Sequence, residues 1–156
     1  MDGITRFPKR KSPRLHGYNY ANPNYYFVTI CTHSKKCLFG LPGSLTHHGR
    51  IAEDALCQIT AHFPGVRIEK SVVMPNHVHA IVVIEPNSAD LTVIIGQYKA
   101  FVTKQIHQYA PDMVVWQTSF HDHIIRSQHN YEKIWNYIDA NPVKWMDDCF
   151  YSANIT

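Results

Sequence analysis

The sequence predicts an α+β fold of the ferredoxin-like type, an antiparallel β-α-β-β-α-β sheet with two helices on one face and an added C-terminal helix. Three observations carry this. Apolar residues recur with the spacing of strand, helix, strand, strand, helix and strand, in that order. Proline, glycine and asparagine fall between the periodic segments. A last helical pattern follows the closing strand, so its helix is free to cover the opposite sheet face.

Residues 25–32 (YYFVTICT) are β-branched and aromatic and read as a buried strand. Residues 34–49 are turn-like, with Pro42, Gly43 and Gly49. Ala52, Ala55, Leu56, Ile59 and Phe63 recur at helical spacing, predicting a helix over 50–63 that ends at Pro64-Gly65. Strands follow over 66–74 and 77–85, with Pro75-Asn76 as the hairpin break. After a loop at 86–90, Leu91, Ile94, Ile95, Tyr98, Phe101, Val102 and Ile106 form the apolar stripe of a second helix, with Ser88 or Asp90 as its cap. Ala110-Pro111-Asp112 ends it. Residues 120–125 make a fourth strand, and 127–141 a third helix closed by Pro142.

The 156 residues suit one domain with a real core, and 45% hydrophobic with 17% charged residues excludes global disorder. No apolar run approaches the ~20 residues of a membrane span, and the N-terminus lacks the apolar core of a secretory signal. The expected location is the cytoplasm, with no membrane partner. Cys31, Cys37, Cys57 and Cys149 form no CxxC pair, so reduced, largely buried thiols are expected. Net charge is only +3, but Arg6, Lys9, Arg10, Lys11 and Arg14 face a single acid, Asp2, in an arm suited to phosphate contacts.

His77-Val78-His79 opens a strand. Side chains alternate there, so both imidazoles share one face and can converge on one metal; a hydrogen-bonded histidine pair is the plainer reading. The residues that follow, Ala80 to Ile84, are apolar on both faces and place this strand centrally. A second H-x-H, His121-Asp122-His123, could join the first pair in a different metal centre.

On the last helix Tyr131, Ile134, Trp135 and Ile138 form the packing stripe. Tyr137 lies roughly 110° away on a helical wheel, with Asn141 one turn later on the same flank. A tyrosine hydroxyl is a weak nucleophile unless a metal or base assists it, and an amide oxygen one turn away could complete a ligand set of His77, His79 and Asn141.

The segments VVMPNHVHAIVVI (72–84), WQTSFHDHIIR (116–126) and NYIDANPVKW (136–145), in this order, resemble the REP-associated tyrosine transposases of the HUH single-strand transposase superfamily. RKSPRLHGYNY and YYFVTICT resemble the N-terminal part of one subgroup. The similarity runs from about Lys11 to Trp145. It implies a single catalytic domain over residues 21–150 behind a basic arm at 1–20, Mg²⁺ or Mn²⁺ as cofactor, and single-stranded DNA carrying a hairpin or repeat as partner. His77 and His79 match the two histidine ligands and Tyr137 the nucleophile. Asn141 stands where related insertion-sequence transposases more often carry glutamine. The implied reaction is transesterification through a 5′-phosphotyrosine, and no GxxxxGK[ST] nucleotide-binding element is present.

On this reading Arg10, Lys11, Arg14, Lys99, Lys104 and Arg126 are candidate phosphate contacts, although Lys99 and Lys104 equally suit a solvated helix face. Trp116, Phe120 and Tyr109 could stack on bases or pack in the core. Two other functions compete: a metal-dependent nuclease in which water attacks, and a non-catalytic nucleic-acid-binding module. The second lacks the expected (K/R)-G-(F/Y) signature in its first strand. Monomer and homodimer are both open, as is whether Tyr137 serves its own subunit.

Overall fold

The computed structural model describes residues 23–147. The arm, with Arg10, Lys11 and Arg14, and also Cys149, lies outside the described residues. Four strands form one antiparallel sheet: β1 (Asn24–Cys31), β4 (Val66–Met74), β5 (His77–Ile84) and β6 (His121–Ile125), in the order β4-β5-β1-β6. With α1 (His47–His62) and α2 (Leu91–His107) as crossovers, this is the ferredoxin-like arrangement predicted. No described helix is long and apolar enough to cross a membrane.

Strand alternation sorts the sheet into two faces. Tyr26, Val28 and Ile30 of β1 and Val78, Ala80, Val82 and Ile84 of β5 pack with the buried stripes of α1 and α2 in the main core. Phe27 and Ile81 point the other way, into a second cluster with Ile125 and with Ile134 and Ile138 of α3 (Gln128–Ala140). The third helix therefore covers the opposite face of its own chain's sheet. Ser127 caps it, its hydroxyl accepting from the Asn130 amide at 3.1 Å.

The predicted boundaries hold within a few residues, with informative exceptions. The expected turn region contains a small hairpin, β2 (Gly40–Leu41) and β3 (Ser44–Leu45), closed by Pro42-Gly43 with Gly43 at φ +82°. Helix α1 starts at His47 rather than residue 50, because Thr46 caps it by accepting from the Gly49 amide at 3.1 Å. Asp90 stands at the N-cap of α2 but makes no side-chain cap bond. Phe101 is 41% exposed and not part of the α2 stripe, since Tyr98 and Val102 already fill the contact with the sheet. Of the thiols, expected to be largely buried, Cys31 and Cys37 are buried and Cys57 is exposed.

In β4 the pairing slips by one residue between Ile68 and Lys70. This bulge resets the alternation, so Glu69 and Lys70 both address the α3 side. Tyr131 donates to Glu69 Oε2 at 2.5 Å, Lys70 Nζ meets Asp139 Oδ1 at 2.7 Å, and the same ammonium lies 4.8 Å from the Trp135 ring centroid. One flank of α3 is thereby tied to the edge strand.

Two glycines in helices predict opposite outcomes for the same substitution. A Cβ on Gly49 would lie 2.1 Å from the Phe39 carbonyl oxygen, whereas one on Gly96 meets nothing within 4 Å. In urea unfolding, Gly49→Ala is expected to lose about 2–3 kcal/mol despite alanine's better helix propensity. Gly96→Ala should gain roughly 0.5–1 kcal/mol.

Candidate active site

His77 and His79 are 0% and 1% exposed and lie on the α3 side of the central strand, their ring centroids 4.5 Å apart. His77 Nδ1 donates to Asn76 Oδ1 at 2.8 Å, and the Asn76 amide is oriented by its own Nδ2, which donates to the Lys35 carbonyl at 3.3 Å. The lone pair of His77 is thereby placed on Nε2. Across β1, Thr29 pairs with His79, and its hydroxyl lies 2.9 Å from His79 Nδ1. Each imidazole is thus held through Nδ1, which fixes the ring and leaves Nε2 to face a ligand.

Burial sets the protonation state. Removal from water pushes the His77 pKa down to about 3, reinforced by the Lys35 charge and opposed by Asn141. Burial also holds His79 well below its usual value, and a charge on His77 would lower it further. Both rings are neutral at pH 7, the form that binds a metal.

Helix α3 delivers the remaining groups. The Tyr137 hydroxyl is 3.4 Å from His79 Nε2, and its ring meets Phe27 edge-on with centroids 6.1 Å apart. Asn141, 3% exposed, ends the helix one turn later, with Nδ2 donating to the Tyr137 carbonyl at 3.3 Å. That bond aims Oδ1 away from the helix. The oxygen is buried and meets no donor in good geometry among the described residues, and it faces His77, whose charged form it favours. Two imidazole nitrogens and an inward amide oxygen fit a divalent cation. The Trp145 ring lies 6.1 Å from His77 and packs with Met74 and Cys37, closing the far side.

Tyr131, on the same helix, is a different kind of tyrosine. Burial and its bond to Glu69 push its pKa up to about 12, and it faces β4 rather than the histidines. Among the described residues no three His, Cys, Asp or Glu side chains gather as a metal-binding group, so the mixed centre of His77, His79, His121, His123 and Asp122 does not form. Thr29 pairs with both His79 and His121, so the latter lies two strands away, roughly 10 Å.

Of the candidate DNA contacts, the three within the described residues lie away from this site. Lys99 and Lys104 are on α2, beneath the other face of the sheet, and Lys99 Nζ donates to the Gln117 carbonyl at 2.5 Å. Arg126 is exposed at the end of β6, beside Ile125, which pairs with Tyr25 at the opposite end of β1 from Cys31. Trp116 and Phe120 pack with the main core, whereas Tyr109 is 46% exposed against His47 and His48. Sequence reading missed Thr29, Asn76 and Trp145. Thr29 was findable, as a polar residue inside an apolar strand run; the other two touch His77 only through the turn after β4 and the segment after α3.

The chain belongs to the family described as "Transposase IS200 like", which matches residues 21–141. An uncharacterized protein of Haemophilus influenzae (strain Rd) is 33% identical over 167 residues, covering 91% of this chain and 93% of that protein. In fold, the chain resembles a REP-associated tyrosine transposase bound to a REP hairpin, with a TM-score of 0.61 and 23% identity over 84% of this chain and 73% of that one. It also resembles a candidate transposase from Deinococcus radiodurans R1, with a TM-score of 0.55 and 18% identity over 81% and 95%.

The depressed histidines predict an acid limb of stability. Their folded pKa values lie below the unfolded 6.5, so the unfolded chain binds more protons in acid. Stability from this source is complete above pH 6.5 and falls as pH drops toward 3, by about 1.4 kcal/mol per pH unit per histidine. In EDTA, His77→Gln should flatten the slope between pH 6 and 4 by one histidine's share; an unchanged slope in urea titrations contradicts the assignment.

Proposed function

We propose that this protein cuts and rejoins single-stranded DNA by transesterification, with Tyr137 as nucleophile and a divalent ion, Mg²⁺ or Mn²⁺, held by His77, His79 and Asn141. The observation that carries the reading is the approach of the Tyr137 hydroxyl to a neutral, buried histidine pair at 3.4 Å, with the Asn141 amide oxygen buried beside it. Membership of the transposase family and the hairpin complex of the structural relative support DNA as the substrate class.

The roles follow from the side chains. His77 and His79, anchored through Asn76 and Thr29, present neutral nitrogens on a rigid central strand. When bound, the ion's contribution is Lewis acidity toward a non-bridging oxygen of the scissile phosphate. Phe27 and Ile138 keep the ground beneath Tyr137 dry, and α3 fixes the direction of its hydroxyl. The Tyr137 oxygen attacks phosphorus, its bond to phosphorus forms as the bond to the 3′-oxygen breaks, and the phenolic proton is balanced by the 3′-hydroxyl released. A 3′-hydroxyl of another strand reverses the exchange. One phosphodiester-type bond replaces another, so no nucleotide is consumed.

Labelled hairpin oligonucleotides incubated with Mn²⁺ test this. Wild type and Tyr131→Phe should form a covalent protein–DNA adduct, and Tyr137→Phe and His77→Ala none. Asn141→Ala is expected to slow it by about 10- to 100-fold. Cleavage without an adduct favours water as nucleophile; binding without cleavage by any variant favours the binding module.

A further inference from the structure

The second H-x-H pair is used by none of the steps above, yet strand register carries one of its members to the site. Thr29 stands between His79 and His121, paired with the first on β5 and with the second on β6. Its hydroxyl meets His79 Nδ1 at 2.9 Å, so the Thr29 side chain lies on the α3 side of the sheet. Directly paired residues share a face, with Cβ atoms about 5 Å apart, so His121 rises from that same face. His79, Thr29 and His121 thus form one row, and His121 lies roughly 10 Å from His79.

What covers that face decides where a substrate can pass. Trp145, Met74 and Cys37 close the side beyond His77, and the Lys70–Asp139 contact draws the end of α3 toward β4. On β6 the cover thins toward the site: Ile125 is buried, His123 half-buried and His121 exposed. Among the described residues, the side over β1 and β6 is therefore the open one. The strand itself sets no acid there, because Asp122 alternates onto the other face with Ile124. A polyanion reaching the site from this side passes His121, whose imidazole carries an N–H donor in either protonation state.

We propose that His121 is a DNA-contacting residue of this site, its imidazole donating to a phosphate near the scissile one. The proposal rests on the reading that the site takes single-stranded DNA, and adds the side from which the strand enters. The separation from His79 spans roughly one to three nucleotides of a strand that rises ~3.4 Å per stacked nucleotide. The His121 contact fixes where the strand lies along the row, and so which phosphate comes to rest beside Tyr137.

Binding in EDTA tests it apart from catalysis. The probe is a labelled hairpin oligonucleotide whose single-stranded flank carries one neutral methylphosphonate, placed at each phosphate in turn. His121→Ala should weaken the unmodified oligonucleotide by about 10-fold, the usual worth of one hydrogen bond to a charged group. At one position the methylphosphonate should weaken wild type by a similar factor and His121→Ala no further, since that contact is already lost. His121→Gln, which keeps an N–H donor, should bind within about threefold of wild type. A disturbed sheet would instead lower affinity for every oligonucleotide alike, with penalties that add at every position. That additivity, or His121→Ala within about twofold of wild type, overturns the assignment and leaves the proposed function standing. No binding by wild type removes the DNA reading, and His121 with it. The expected coupling without a covalent adduct keeps His121 and removes the tyrosine mechanism instead.

Discussion

Strand β5 is buried on both faces from His77 to Ile84, and the rest of the architecture follows from that double burial. A strand with two dry faces needs a layer on each. Its even-numbered residues are covered by α1 and α2; its odd-numbered ones, His77 and His79 among them, need a cover that the β-α-β-β-α-β unit does not contain. Helix α3 supplies it by burying Ile134 and Ile138 against Phe27 and Ile81. At about 1.5–3 kcal/mol for each large apolar side chain, this contact outweighs the partly exposed Lys70–Asp139 pair, worth ~0–1 kcal/mol. Apolar burial decides that α3 docks there. The polar contacts on its edge decide how it is rotated when it does.

That rotation separates two tyrosines of the same helix. Tyr131, Trp135 and Asp139 form the flank facing the β4 bulge, where Glu69 and Lys70 receive them. With that flank engaged, Tyr137 falls over Phe27 and His79, and Asn141 is carried down beside His77. A single-residue slip in an edge strand thereby acts on the aim of a hydroxyl on the other side of the layer. Without it, β4 would turn Lys70 toward the main core.

The site combines dryness with a few tightly specified polar bonds. Burial keeps both imidazoles neutral, and neutral rings need their Nδ1 positions occupied by partners that leave the opposite nitrogen for a ligand. Thr29 and Asn76 meet that need from a neighbouring strand and from the hairpin turn. Asn76 is also where β5 meets the end of β1, since its carbonyl accepts from the Thr32 backbone and hydroxyl. Chemistry and chain geometry are joined at one residue there.

Much of this was legible before any coordinates. The period-two runs, the helical stripes and the Pro-Asn and Pro-Gly breaks specify the element order, because each reports a local backbone geometry written into neighbouring residues. The H-x-H spacing put His77 and His79 on one face, and the four-residue step put Tyr137 and Asn141 on one flank, for the same reason. What sequence could not decide is any relation between segments distant in the chain. That α3 packs on its own sheet, that a bulge turns Glu69 and Lys70 toward it, that His121 stays two strands from His79, and that Phe101 is left at the surface all depend on register and on which layer fills first. Periodicity fixes which way a side chain points from its own element. Only the packing of one element against another decides what it points at.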